Sequence, residues 1–148
     1  MSRKGPRPLS LTQQGLGIRR LWPGEISIRS NTLTWVGQLQ PTAVSPSYKV
    51  RLAYRTGDVT RVRVLDPVLD PGHRDRLPHV YDGDRLCLYT PGEWDRSMQI
   101  ATTIIPWTAE WLFHYELWKA TDHWAGGGDV YAPSRPEGHK SGSARWLR

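Results

Sequence analysis

Apolar and polar positions alternate with two different periods along this chain, and the change of period predicts the order of its elements. From Leu9 to Leu21, Leu9, Leu16, Ile18 and Leu21 recur at helical intervals. Ser10 stands where an N-cap belongs, and Trp22-Pro23-Gly24 makes a stop, although Gly15 and Gly17 weaken the helix. Three runs of period two follow. These are Ile26 to Leu39, with Leu33, Trp35 and Leu39 on one side; Tyr48 to Arg55, with Val50, Leu52 and Tyr54; and Val59 to Leu65, with Val62 and Val64. Each predicts a strand with one buried face. Thr56-Gly57-Asp58 supplies a hairpin-type turn between the second and third, so a three-stranded antiparallel meander is expected.

Asp66-Pro67 to Pro71-Gly72 cannot continue a central strand and carries the chain off the sheet. Helical spacing resumes near Ser97. Pro106 suits the first turn of a further helix, and Trp107, Trp111, Tyr115 and Trp118 form an aromatic stripe along it. Trp124 and the glycines at 126–128 end the pattern. The composition predicts a basic N-terminal tail (1–8), one domain (9–128) and a flexible tail (129–148) rich in Pro, Gly, Ser and charge, with the three glycines read as a linker. The layout is α+β, an N-terminal helix and C-terminal helices packed beside one antiparallel sheet.

Composition narrows the function. The 148 residues can bury a core without disulfides or metal. No apolar run approaches the ~18 residues of a membrane span. The basic stretch Met1 to Pro8 is not followed by a signal-like segment, so a cytoplasmic location is expected. The net charge of +6 belongs to the ends: residues 21 to 128 hold eleven basic and twelve acidic side chains. A nucleic-acid-binding domain is therefore disfavoured, because the body is neutral and shows no stacking-and-basic motif. The outward positions Lys49, Arg51, Arg55, Arg61 and Arg63 nevertheless make an acid-poor stripe, read either as a solvated face or as a partner-binding face. The five histidines are scattered without paired ligand spacing, so no metal and no cofactor are expected.

One thiol, Cys87, remains to be explained. By composition it is a small buried hydrophobe in a reducing compartment. A papain-like pairing with His79 or His114 lacks its local signature. The segment Leu77-Pro78-His79-Val80-Tyr81-Asp82-Gly83-Asp84-Arg85-Leu86-Cys87-Leu88-Tyr89, followed by Pro91-Gly92-Glu93-Trp94, carries a more specific signal. It resembles the active-site stretch of ubiquitin-conjugating enzymes, in which a His-Pro-Asn tripeptide precedes the catalytic cysteine by the interval seen here from His79 to Cys87, and a tryptophan and a helix follow. Those phrases, with Ile104-Ile105-Pro106-Trp107 and Trp124-Ala125-Gly126, are closer still to the short bacterial members encoded in CBASS anti-phage operons beside a cyclic-oligonucleotide synthase.

The resemblance implies the conjugating-enzyme fold and a thioester on Cys87. It implies a defence role in which the synthase, a cGAS-like nucleotidyltransferase, is donor or conjugate, with an activating enzyme supplied separately and an amine or thiol as acceptor. His79 occupies the family's Asn position, where it could donate to an oxyanion or act as base, and Leu77 replaces the family's His. Pro78, Asp82, Asp84 and Trp94 are candidate supports of the loop, and Glu93 joins Asp82 and Asp84 as a candidate for polarising an incoming lysine. The competing class is a catalytically inactive module of the same fold that docks a partner.

Overall fold

The computed structural model describes residues 5–81 and 83–125; Asp82, the glycines at 126–128 and the tail 129–148 lie outside the described residues. Its elements are α1 (Leu11–Leu21), β1 (Glu25–Arg29), β2 (Thr32–Leu39), β3 (Tyr48–Arg55), β4 (Arg61–Asp66), β5 (Val80–Tyr81), β6 (Arg85–Leu86) and α2 (Ile104–Thr121), with a 3-10 turn over Ile100–Thr102 before α2. The first four strands form an antiparallel sheet in sequential order, and β5 and β6 form a separate two-stranded hairpin.

Helix α1 begins where the sequence puts its cap. The Ser10 hydroxyl accepts from the Gln13 amide at 3.1 Å, and the Gln13 side chain accepts from the Ser10 amide at 2.8 Å, a reciprocal capping box. The run from Ile26 to Leu39 is not one strand but two. Ser30 and Asn31 both adopt left-handed backbone, with φ of 48° and 60°, and turn the chain back in a two-residue hairpin so that Arg29 pairs with Thr32. The meander accordingly has four strands rather than three. Strand β4 begins at Arg61, not Val59, because Asp58 still closes the preceding turn onto the Arg55 carbonyl.

A second correction concerns the start of the C-terminal helices. Residues 97 to 103 form turns, and a single helix follows. A helix from Ser97 would need the Ile100 amide to bond the Arg96 carbonyl. That carbonyl instead accepts from the Leu9 amide at 2.8 Å, and the Ile100 amide donates to the Gln14 side chain at 2.9 Å. Gln14, only 1% exposed, also donates to the Met98 carbonyl, and the Trp22 indole donates to the Ala101 carbonyl at 2.7 Å. The N-terminal segment thus takes the backbone groups that helical bonding would have used.

The aromatic stripe lies inward as expected: Trp107, Trp111, Tyr115 and Trp118 are all buried. They join Ile18 of α1 and the inner face of the sheet (Leu33, Trp35, Val50, Leu52, Tyr54, Val62) in one hydrophobic cluster. Each fully buried tryptophan removes on the order of 200 Å² from water, which makes these rings the main weight of the core. Room for one is made by glycine, since a Cβ at Gly37 would lie 2.2 Å from the Trp35 ring. The irregular stretch after β4 is tied to α2. Lys119 pairs with Asp70 at 2.7 Å, the Tyr115 hydroxyl accepts from the Asp70 amide, and Arg74 lies over the Trp118 ring and against Asp122. Among the described residues no helix is long and apolar enough to cross a membrane.

Candidate active site

The hairpin that presents Cys87 is short and tightly specified. Val80 pairs with Leu86 and Tyr81 with Arg85, and positive φ at Gly83 (78°) and Asp84 (61°) turns the chain between them. One step outward, the Cys87 amide donates to the His79 carbonyl at 2.9 Å. The interval of eight residues from His79 to Cys87 is therefore the geometry of an antiparallel pair.

Helix α2 fixes the other side of this pair. The Trp111 indole donates to the same His79 carbonyl at 3.1 Å, and the His79 ring, 5% exposed, lies 4.6 Å from that of Trp124. His79 has a φ of 50°, a left-handed conformation that Asn, Asp and His tolerate far better than other side chains. The position thus favours the residue type that this sequence supplies. The His114 ring also packs on Trp124, at 5.8 Å, and burial holds its pKa below the usual histidine value.

Cys87 is half-buried between Leu86 and Leu88, both fully buried. Burial is the largest influence on its thiol and pushes the pKa up; a hydrogen bond from Tyr81 and the charge of Arg85 pull it down, and Glu93 pushes it up again. The net direction is upward, so the resting group is a protonated thiol. Burial and the contact with Cys87 also raise the Tyr81 phenol, which keeps it a proton donor at neutral pH. The Arg85 guanidinium lies 4.4 Å above the Tyr81 ring, so the two groups that favour the thiolate are stacked on each other.

The other candidates fall around this centre. Pro78 is buried next to His79, and Asp84 is exposed in the turn. One Glu93 oxygen accepts from both the amide and the hydroxyl of Thr90 at 2.7 Å, which anchors it in the next turn. Trp94 donates to the Thr103 hydroxyl at 3.0 Å, packs edge-on to Tyr54 at 5.5 Å, and forms part of a groove of about 560 Å³. Tyr81, Leu86, Leu88, Tyr89 and Thr60 line the same groove, which runs along the cysteine hairpin. Sequence reasoning assigned no role to Tyr81 and Arg85. Their signal was the pairing implied by the turn at Gly83-Asp84, which sets them opposite each other and beside the cysteine. Among the described residues no three His, Cys, Asp or Glu side chains converge as a metal site.

The family model described as Type II CBASS E2 protein matches residues 14–131, a span that contains the sheet, the hairpin and α2. No curated protein matches the chain.

Proposed function

The chain belongs to the type II CBASS E2 family, a conjugating-enzyme-like family of CBASS defence, and from that premise we propose that Cys87 carries a protein C-terminus as a thioester and hands it on. The observation that carries the reading is the thiol itself, held on a paired hairpin with Tyr81 and Arg85 acting on its ionisation, between Leu86 and Leu88, which line an open groove.

In the loading step the Cys87 sulfur attacks the carbonyl carbon of a thioester on a separate activating enzyme. The new S–C bond forms as the old one breaks, and the proton of Cys87 ends on the departing thiol. In the transfer step an amine attacks, a C–N bond forms, and Cys87 leaves as a thiolate that regains a proton from the amine. A buried thiol is a poor resting nucleophile and protects the site from adventitious reaction. The Tyr81 hydrogen bond and the Arg85 charge lower the cost of the thiolate when it forms, in attack and again in departure. To His79, which occupies the family's Asn position, we assign the role of donor to the oxyanion of each tetrahedral intermediate, and one such donor is worth ~3 kcal/mol. The donor we assign is the cyclic-oligonucleotide synthase that the family resemblance sets beside this protein.

Incubation with the activating enzyme, ATP and the donor should give an adduct that reducing agent removes. Cys87→Ser should give an adduct that survives reducing agent, and Cys87→Ala none. An adduct that persists in Cys87→Ala would overturn the assignment, and a native chain that binds the donor without forming any adduct would be a docking module of the same fold.

A further inference from the structure

We propose that the arginine-lined pocket beside the cysteine hairpin is a docking site for an acidic polypeptide segment of the protein whose C-terminus Cys87 carries; this rests on the thioester reading above. The pocket, of about 450 Å³, is lined by Arg51, Arg61, Arg63 and Arg85 together with Ala53 and Gly83. Ala53 and Gly83 carry too little side chain to fill the space between the guanidinium groups, so the pocket stays open and cationic.

The arrangement works against folding. Arg51 stands directly opposite Arg63 across β3 and β4, and like charges at that position destabilise a sheet. Of the four pocket arginines only Arg61 has a carboxylate of the described residues within ion-pair distance, Asp58 at 3.7 Å, and that pair is largely exposed. Arg51, Arg63 and Arg85 are thus available to an outside anion, and guanidinium groups match carboxylates in paired hydrogen bonds.

The shape favours a peptide over nucleic acid. Within the outward stripe of β3 and β4, which also carries Lys49 and Arg55, four arginines converge on one pocket. The outward residues of the neighbouring strand β2 are Thr32, Thr34, Val36 and Gln38, with no ring to stack a base. Location identifies the partner, because Arg85 lies two residues from Cys87 on the strand that leads to it. A segment held there is tethered to the thiol, which raises the local concentration of the chain end to be loaded.

The test uses the full chain and fluorescent octaglutamate, with a fluorescent oligothymidylate of equal charge as competitor class, read by anisotropy at low salt. Octaglutamate should bind. Arg51→Glu and, separately, Arg85→Gln should each weaken it at least about tenfold, and Arg20→Glu, an equal charge change on α1, should leave it within about twofold. Arg51→Glu replaces a repulsive cross-strand pair with an attractive one, so its melting temperature should hold or rise while binding falls. Absence of octaglutamate binding, binding indifferent to Arg51→Glu and Arg85→Gln, or tighter binding of oligothymidylate overturns the proposal. Cys87→Ala should bind octaglutamate as the native chain does, so failure of the thioester chemistry is read separately from failure of the docking site.

Discussion

The carbonyl of His79 accepts two hydrogen bonds, one from the Cys87 amide across the hairpin and one from the Trp111 indole on α2. The same peptide unit therefore fixes the cysteine to its partner strand and the hairpin to the helical layer. A shift of His79 moves Cys87 relative to everything that acts on its thiol. Its left-handed backbone, with φ of 50°, is the conformation in which the carbonyl meets both donors.

His79→Asn should retain the conformation and a side-chain donor while losing the ring contact with Trp124. We expect it to cost ~1 kcal/mol in chemical denaturation, and His79→Ala ~2–3 kcal/mol, since Ala also pays for left-handed backbone. Discharge of the thioester in His79→Asn should stay within a few fold of native. His79→Ala should slow discharge more than loading. A loss near ~100-fold in His79→Asn would instead make the imidazole a general base.

The balance of charges at the thiol predicts opposite effects from two conservative substitutions. Tyr81→Phe removes a hydrogen bond that favours the thiolate, so the Cys87 pKa rises further and alkylation by iodoacetamide at neutral pH slows. Glu93→Gln removes a charge that disfavours the thiolate, so the pKa falls and alkylation quickens. The pH profile of alkylation, followed by mass spectrometry, should shift toward alkali in Tyr81→Phe and toward acid in Glu93→Gln. Movement of both profiles in one direction would mean that the loop had rearranged.

The sequence made the inner faces readable where one residue's choice is local. The alternation in 48–55 predicts β3 to the residue, and the spacing of Trp107, Trp111, Tyr115 and Trp118 predicts the buried side of α2. The backbone pairing of Cys87 with His79 lay in their interval, because an antiparallel pair converts a spatial contact into a fixed spacing. Where the outcome depends on distant partners, local pattern fails. Residues 97–103 carry helical spacing but lose their backbone groups to Leu9 and Gln14, more than eighty positions away. Tyr81 and Arg85 lie in a stretch without a strand pattern of its own, and only the hairpin sets them beside Cys87. Ser30-Asn31 was a missed local signal, since no glycine marks the turn that makes both residues left-handed.

Gln14 gives the sharpest stability test of that long-range control. Its amide satisfies the Ile100 N–H and the Met98 carbonyl in a buried setting, and it is the side chain that ties α1 to the segment entering α2. Gln14→Ala would leave both backbone groups without their partner and open a gap, each unsatisfied group costing ~1–3 kcal/mol. We expect a loss of ~3 kcal/mol in guanidinium unfolding, against ~1 kcal/mol or less for Gln13→Ala, which removes half of an exposed capping box. Hydrogen exchange distinguishes the strap from simple packing. Protection of the Ile100 amide should collapse in Gln14→Ala while amides in the middle of β3 keep the protection that the lower global stability allows. Retained protection at Ile100 would mean that the segment had recovered the helical bond to Arg96, and that the 3-10 turn belongs to the segment's own sequence rather than to α1.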